Sequence, residues 1–215
     1  MMLYCRCISA CRRMDEIFYP RDERMSLDLQ NKWDQRYRKS SSDEPGAAQV
    51  LWDNQHLLPK TGDALDLACG LGGNALLLAK AGLQVQAWDL SPVAVEALQS
   101  RSVDGSGSLH ATVRDVLANP PQPASFDVIV VSYFLDRSLA QAMCAALRPG
   151  ALLFYQTFVQ DKVSQHGPSN PDFLLAENEL LSMFAELRPR IYREEGRLGN
   201  TTQGLRNEAL FVGQK

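Results

Sequence analysis

Apolar side chains return every four residues at Leu29, Trp33 and Tyr37, so the segment 27–38 has one apolar, aromatic face and is predicted to be a helix. The run KSSSDEPG ends it, and a second helix is predicted over 46–57. ALDLA (64–68) is strand-like; it leads into CGLGGN and then into NALLLAKAG, a short helix stopped at Gly82. LQVQAWDL (83–90) predicts the next strand, after which Ser91 is placed to cap a helix with Pro92 at its first position. SLHATVRDV (108–116) alternates as a third strand. FDVIVVSYF (126–134) is continuous and β-branched, the pattern of a strand buried on both faces of a parallel sheet.

Further along, Leu139, Met143 and Leu147 mark one side of a helix over 137–147, closed by Arg148, Pro149 and Gly150. ALLFYQTF (151–158) predicts a fifth strand. After a polar stretch to about 171 come a helix near 177–185 and two runs, PRIYREE and NEALFVGQ, that read as an antiparallel pair at the sheet's edge. Alternating strands and helices imply an α/β chain folded as a three-layer α/β/α sandwich. Its seven-stranded sheet is expected to be mostly parallel with an antiparallel last strand.

Length and charge narrow the partners. A chain of 215 residues, 45% hydrophobic and 22% charged, can bury one core without disulfide or metal staples. Its 22 basic against 25 acidic residues give a net charge of -3, which offers no general attraction for nucleic acid or an anionic membrane. The longest apolar run falls short of the ~20 residues that cross a bilayer, and no convincing signal-peptide pattern opens the chain. A cytoplasmic protein is the expectation, as monomer or homodimer. Cys5, Cys7 and Cys11 crowd the N-terminus while Cys69 and Cys144 stand alone, neither a disulfide framework nor a common zinc pattern, so no metal is expected. Residues 1–24 lack apolar periodicity and read as a disordered extension, leaving 25–215 as one domain.

The loop Gly70-Leu71-Gly72-Gly73-Asn74-Ala75 has the form GxGxxA, shared by several nucleoside cofactor sites. Glycine allows a tight turn and close approach of a ligand at a strand's carboxyl end. Three acids keep it company: Asp66 before the loop, Asp89 ending the second strand and Asp115 ending the third.

LDLACGLGGNALLLAKAGLQVQAWDLS (65–91), RDV (114–116), FDVIVVSYF (126–134) and LRPGALLFYQTF (147–158) resemble, in order and spacing, the motifs of class I S-adenosylmethionine-dependent methyltransferases, a Rossmann-like family. The resemblance covers about 26–215. WDQRY, WDLS and PSNPDFLLAENEL are further similar to the small tellurite-resistance and thiopurine-type enzymes. It implies that Asp66 and Gly70 to Gly72 hold the methionine moiety of S-adenosyl-L-methionine, Asp89 the ribose hydroxyls, and Asp115 with Val116 the adenine. Ala68, Asn74, Leu90 and Ser132 complete the implied lining. The chemistry agrees: a ribose diol offers a carboxylate two donors, and acids stabilise an ammonium and a sulfonium but repel a pyrophosphate. NAD is the competitor, since an acid about 20 residues past such a loop also binds its ribose, but Asp66 weighs against it.

Methyl transfer is an in-line displacement whose rate comes largely from alignment, so no covalent nucleophile is needed. Tyr133, at the end of the fourth strand, and His166, in the long polar connection, are the catalytic candidates. Trp33 and Tyr37 are placed for a helical lid over the cofactor. Cys69 reads as a buried thiol without partner, and Glu194, Glu195 and Arg197 as a solvated charge cluster. With no base evident, small-molecule acceptors such as tellurite, selenite or thiols fit, because their lone pairs attack unaided. The alternative is a catalytically silent module that only binds cofactor or partner.

Overall fold

Seven runs of apolar or alternating residues pair into one sheet in the computed structural model, which describes residues 23–39, 45–103 and 105–215, with backbone alone at 23–25. The strands are β1 (Asp63–Leu67), β2 (Gln84–Asp89), β3 (Ser108–Val113), β4 (Phe126–Ser132), β5 (Leu147–Phe158), β6 (Arg188–Glu194) and β7 (Glu208–Gln214). Their order is β3-β2-β1-β4-β5-β7-β6. The first five are parallel, and β7 alone runs against its neighbours β5 and β6. The expected antiparallel last strand is therefore present, inserted between β5 and the edge strand β6. The order reverses between β1 and β4, and a crevice for ligands opens outside the strand ends at such a reversal.

Strand alternation sends side chains to two cores. Ala64, Val85, Val128, Val130, Phe154 and Val212 meet helices α2 (Gln49–Trp52), α3 (Gly73–Lys80) and α4 (Pro92–Gln99). Leu65, Leu67, Ile129, Val131, Tyr155 and Phe211 face α5 (Ala140–Ala146) and α6 (Glu179–Met183). These are the three expected layers. Ser91 caps α4 as expected, its hydroxyl accepting from Ala94 N, with Pro92 next.

Several boundaries differ from the sequence reading. Helix α1 (Glu23–Lys39) begins before residue 27, so residues 23 and 24, assigned to the extension, start the helix; residues 1–22 lie outside the described residues. The helix expected over 46–57 is α2 followed by a separate turn, Gln55–Leu57, because Asn54 bonds back to Val50 O at 2.9 Å and leaves helical geometry. β5 starts at Leu147, not 151: Leu147 pairs with Phe126, and Gly150 N donates to Lys215 O, so the Arg-Pro-Gly segment is drawn into the sheet. Among the described residues no helix is long and apolar enough to cross a membrane.

Candidate functional site

Asp66 lies near the carboxyl end of β1 and is 0% exposed. Its Oδ2 accepts from Ala75 N at 3.0 Å and its Oδ1 from Asn74 Nδ2 at 3.4 Å. It thereby satisfies the start of α3, where the cap residue Gly72 has no side chain to do so. Burial outweighs those bonds and pushes the carboxyl up to about 7. The turn between them holds Ala68, Gly70 and Gly72 at φ 56, 53 and 85, closed by Gly72 N donating to Cys69 O at 2.9 Å. Glycine is required at 72 on two counts, its left-handed backbone and the Leu98 side chain that a Cβ would strike.

Asp89, at the end of β2, is tied to this turn. Its Oδ2 accepts from Gly70 N at 2.8 Å and its Oδ1 from Ser91 N at 2.9 Å, with Leu90 half-buried between the two. Burial raises this carboxyl as well. Asp115 is a correction: β3 stops at Val113, and Asp115 sits two residues beyond, accepting from Leu117 N at 3.0 Å and from Ala118 N at 3.3 Å. Val116 beside it is buried in the core that holds Trp88.

Helix α1 reaches this end of the sheet at three points. Ser26 Oγ donates to Asp115 Oδ2 at 3.2 Å, and Asp34, buried, accepts from the Ser91 hydroxyl. Tyr37 stacks on Trp33 at 5.8 Å and its hydroxyl stands 3.1 Å from where a Gly70 Cβ would lie. Burial, then Asp89, raises the Tyr37 phenol.

Toward β4 the site continues through Asn74, whose Nδ2 donates to Ser132 Oγ at 2.9 Å and whose Oδ1 accepts from Ala48 N at 2.8 Å. β4 ends at Ser132, so Tyr133 lies just past the strand, at φ 56 and 47% exposed. Its ring meets Phe158 at 5.3 Å, and exposed His166 also meets Phe158, edge-on at 5.6 Å. The two catalytic candidates thus share Phe158 as a common neighbour.

Two groups here escaped the sequence reading. Gln156 is 1% exposed, its Oε1 accepting from Val50 N at 2.6 Å and its Nε2 donating to Glu208 Oε2 at 2.5 Å. The signal for Gln156 was a single amide inside the apolar run LLFYQTF; Glu208 gave none beyond opening β7. The supposed solvated cluster is a structural tie: Glu195 pairs with Arg193 and Arg206, Arg197 with Asp161, and Glu194 accepts from Asn178 N. Cys69 and Cys144 are free and buried, their thiols pushed up by burial.

Residues 64–150 match the family model described as a methyltransferase domain. The cypemycin N-terminal methyltransferase of Streptomyces sp is 30% identical over 125 residues, 54% of this chain and 49% of that protein. The chain spans about half the length of the curated relatives it matches. Among solved structures, TehB from Haemophilus influenzae superposes with a TM-score of 0.63 at 23% identity, covering 85% of this chain and 67% of that one. The geranyl diphosphate C-methyltransferase of Streptomyces coelicolor A3(2) gives 0.64 at 14% identity, covering 88% and 97%. These two share the fold.

Proposed function

We propose that this chain, whose residues 64–150 match the methyltransferase-domain family model, is a class I S-adenosylmethionine-dependent methyltransferase that moves a methyl group from that cofactor to a small-molecule acceptor. The observation that carries the reading is a glycine turn held between two buried acids, Asp66 bonded to Ala75 N just past it and Asp89 bonded to its Gly70 N–H, with Asp115 beyond β3 bonded to Ser26 of α1. Among the described residues no Lys or Arg forms an ion pair with Asp66 or Asp89. Buried acids whose carboxyls are raised by desolvation gain from a cationic ligand, and S-adenosylmethionine brings an ammonium and a sulfonium.

Asp66 and the Gly70–Gly72 turn would hold the amino-acid end, with Asn74 orienting Asp66, while Ala68 and Leu90 flank the turn and the acid Asp89. Asp89 would accept the ribose hydroxyls in charge-assisted bonds, and Asp115 with Val116 would border the adenine. When bound, the cofactor supplies a methyl carbon made electrophilic by its positive sulfur. The chain's part is alignment, which can contribute up to ~7–11 kcal/mol, and exclusion of water by α1, where Trp33 and Tyr37 form the lid. Ser132 and Tyr133 would line the acceptor side, the Tyr133 phenol raised to about 12 by burial and Glu208 and so kept as a donor. His166 would close the outer wall. The lack of an evident base is what favours tellurite, selenite or thiol acceptors; Glu208 beside Tyr133 supplies a carboxylate and removes that reason, leaving small molecules as the class.

Titration calorimetry with S-adenosylhomocysteine tests the reading. Micromolar-scale binding is expected for the wild type and none for Asp89→Ala, with a matching rise in Tm only in the former. A wild-type chain that gives no heat rejects it, and transfer of a labelled methyl group distinguishes an enzyme from a silent binding module.

A further inference from the structure

A row of polar side chains crosses four strands at the carboxyl edge of the sheet. Asn74 joins Asp66 on β1 to Ser132 on β4, with its Nδ2 3.4 Å and 2.9 Å from their oxygens. Ser132 lies opposite Gln156 on β5, and Gln156 reaches Glu208 at the start of β7. Because Gln156 Oε1 is occupied by Val50 N, its amide is fixed with Nε2 toward the carboxylate. Nε2 also lies 3.4 Å from the Tyr133 hydroxyl, which stands beside Glu208. Phe158, directly opposite Glu208 in the β5–β7 ladder, touches the rings of Tyr133 and His166.

Two cations of the neighbouring loops are turned elsewhere. Lys162 Nζ donates to Pro168 O at 2.7 Å and His166 O at 3.4 Å. Arg206 spends its guanidinium on Gly196 O, Asn200 O, Gln203 O and the Glu195 carboxylate. Among the described residues Glu208 forms no ion pair. A carboxylate without a cation, with aromatic rings beside it, is the composition that holds a small organic cation.

We propose that this patch is the acceptor subsite, that it takes a small amine in its ammonium form, and that Glu208 receives the ammonium proton. The proposal rests on the methyltransferase reading above. An ammonium has no lone pair, so it must lose a proton before it can attack, and Glu208 is the base in reach. The freed nitrogen pair forms the N–C bond as the S–C bond breaks and its pair stays on sulfur. One proton leaves the acceptor for each methyl gained. Anionic acceptors are disfavoured by the same carboxylate.

The test uses the full chain saturated with S-adenosylhomocysteine and three probes of similar size, benzylamine, benzyl alcohol and benzoate. Benzylamine is expected to bind at least about tenfold tighter than the other two. Glu208→Gln, which keeps an acceptor for Gln156, should erase that preference while S-adenosylhomocysteine affinity stays within about twofold, the change expected where no direct contact is lost. Tyr133→Leu should weaken benzylamine alone. With S-adenosylmethionine and saturating amine, E208Q should transfer methyl groups at least about tenfold more slowly. Equal binding of the three probes, a preference for benzoate, a preference that survives in E208Q, or wild-type turnover by E208Q each overturns the proposal. Failure of the wild type to bind S-adenosylhomocysteine removes the methyltransferase reading and this one together; binding without amine preference removes this one alone.

Discussion

At the scale of single residues, Asp66 sets a pH dependence that can be measured without any ligand. Its carboxyl titrates near 3.8 when unfolded and is raised to about 7 in the folded chain, chiefly by burial. Between those values the folded state holds a proton that the unfolded state has released, so this contribution to stability is fully present below 3.8 and is lost as pH rises to about 7. Asp89 is shifted in the same direction and adds to the effect. Asp66→Asn keeps an oxygen that can accept from Ala75 N and an amide that carries no charge. The expected result is a variant whose Tm changes less between pH 4 and 8 than that of the wild type, with the gain greatest at pH 8, and whose S-adenosylhomocysteine binding is lost. Parallel Tm profiles for the two proteins would contradict the assignment of the buried charge to this carboxyl. Asp66 and Asp89 were legible in the sequence because each stands at or near the carboxyl end of a strand-like run, whereas the expectation that Asp115 ends its strand met a strand that stops at Val113. Glu208 was not, because what makes it notable is its position opposite Phe158 across β5 and β7, far away in the chain.

At the scale of elements, local signals set the helix and strand types, and tertiary pairing set their lengths. Ser91-Pro92 announced the start of α4 because cap chemistry is contained in neighbouring residues. β5 could not announce its early start, since the partners that draw in Leu147 to Gly150 are Phe126 and the carboxyl-terminal Lys215. The attachment of α1 was likewise hidden: the Leu29, Trp33 and Tyr37 face is visible, whereas buried Asp34 meets its partner Ser91 only when α1 lies on α4. Ser91 therefore serves two elements, accepting from Ala94 N to cap α4 and donating to Asp34 to hold α1. Ser91→Ala is expected to cost about 1–2 kcal/mol through the lost cap and the buried carboxylate left without its hydroxyl. Hydrogen exchange should accelerate along α1 more than along α3, whose start is secured by Asp66. Exchange that rises equally in both helices would show that the link to Asp34 does not hold α1.

At the scale of the molecule, the two ends of the sheet divide the work. The carboxyl edge carries the glycine turn, the acids and the polar row, and it holds left-handed backbone at Ala68 and Tyr133. The opposite end of the parallel strands carries a charge tie instead. Arg148 on β5 donates to Asp127 of β4 at 2.6 Å and to Asp63 of β1 at 2.8 Å, and the Asp127 carboxylate also accepts from Asp63 N at 2.8 Å. One guanidinium thus links three strands, including the pair β1 and β4 between which the strand order reverses. The side chain is partly exposed, so screening by water and salt limits its worth, while the apolar cores on both faces of β1 and β4 already hold those strands together. Arg148→Ala should accordingly lower Tm by no more than about 3 °C, the loss shrinking further in high salt. S-adenosylhomocysteine affinity should be unchanged, since Asp66 and Ser132 keep their bonds to Asn74 at the far end. A substantial loss of affinity in this variant would mean that the spacing of β1 and β4 at the site is set from the remote end of the sheet, and not by the Asn74 bridge.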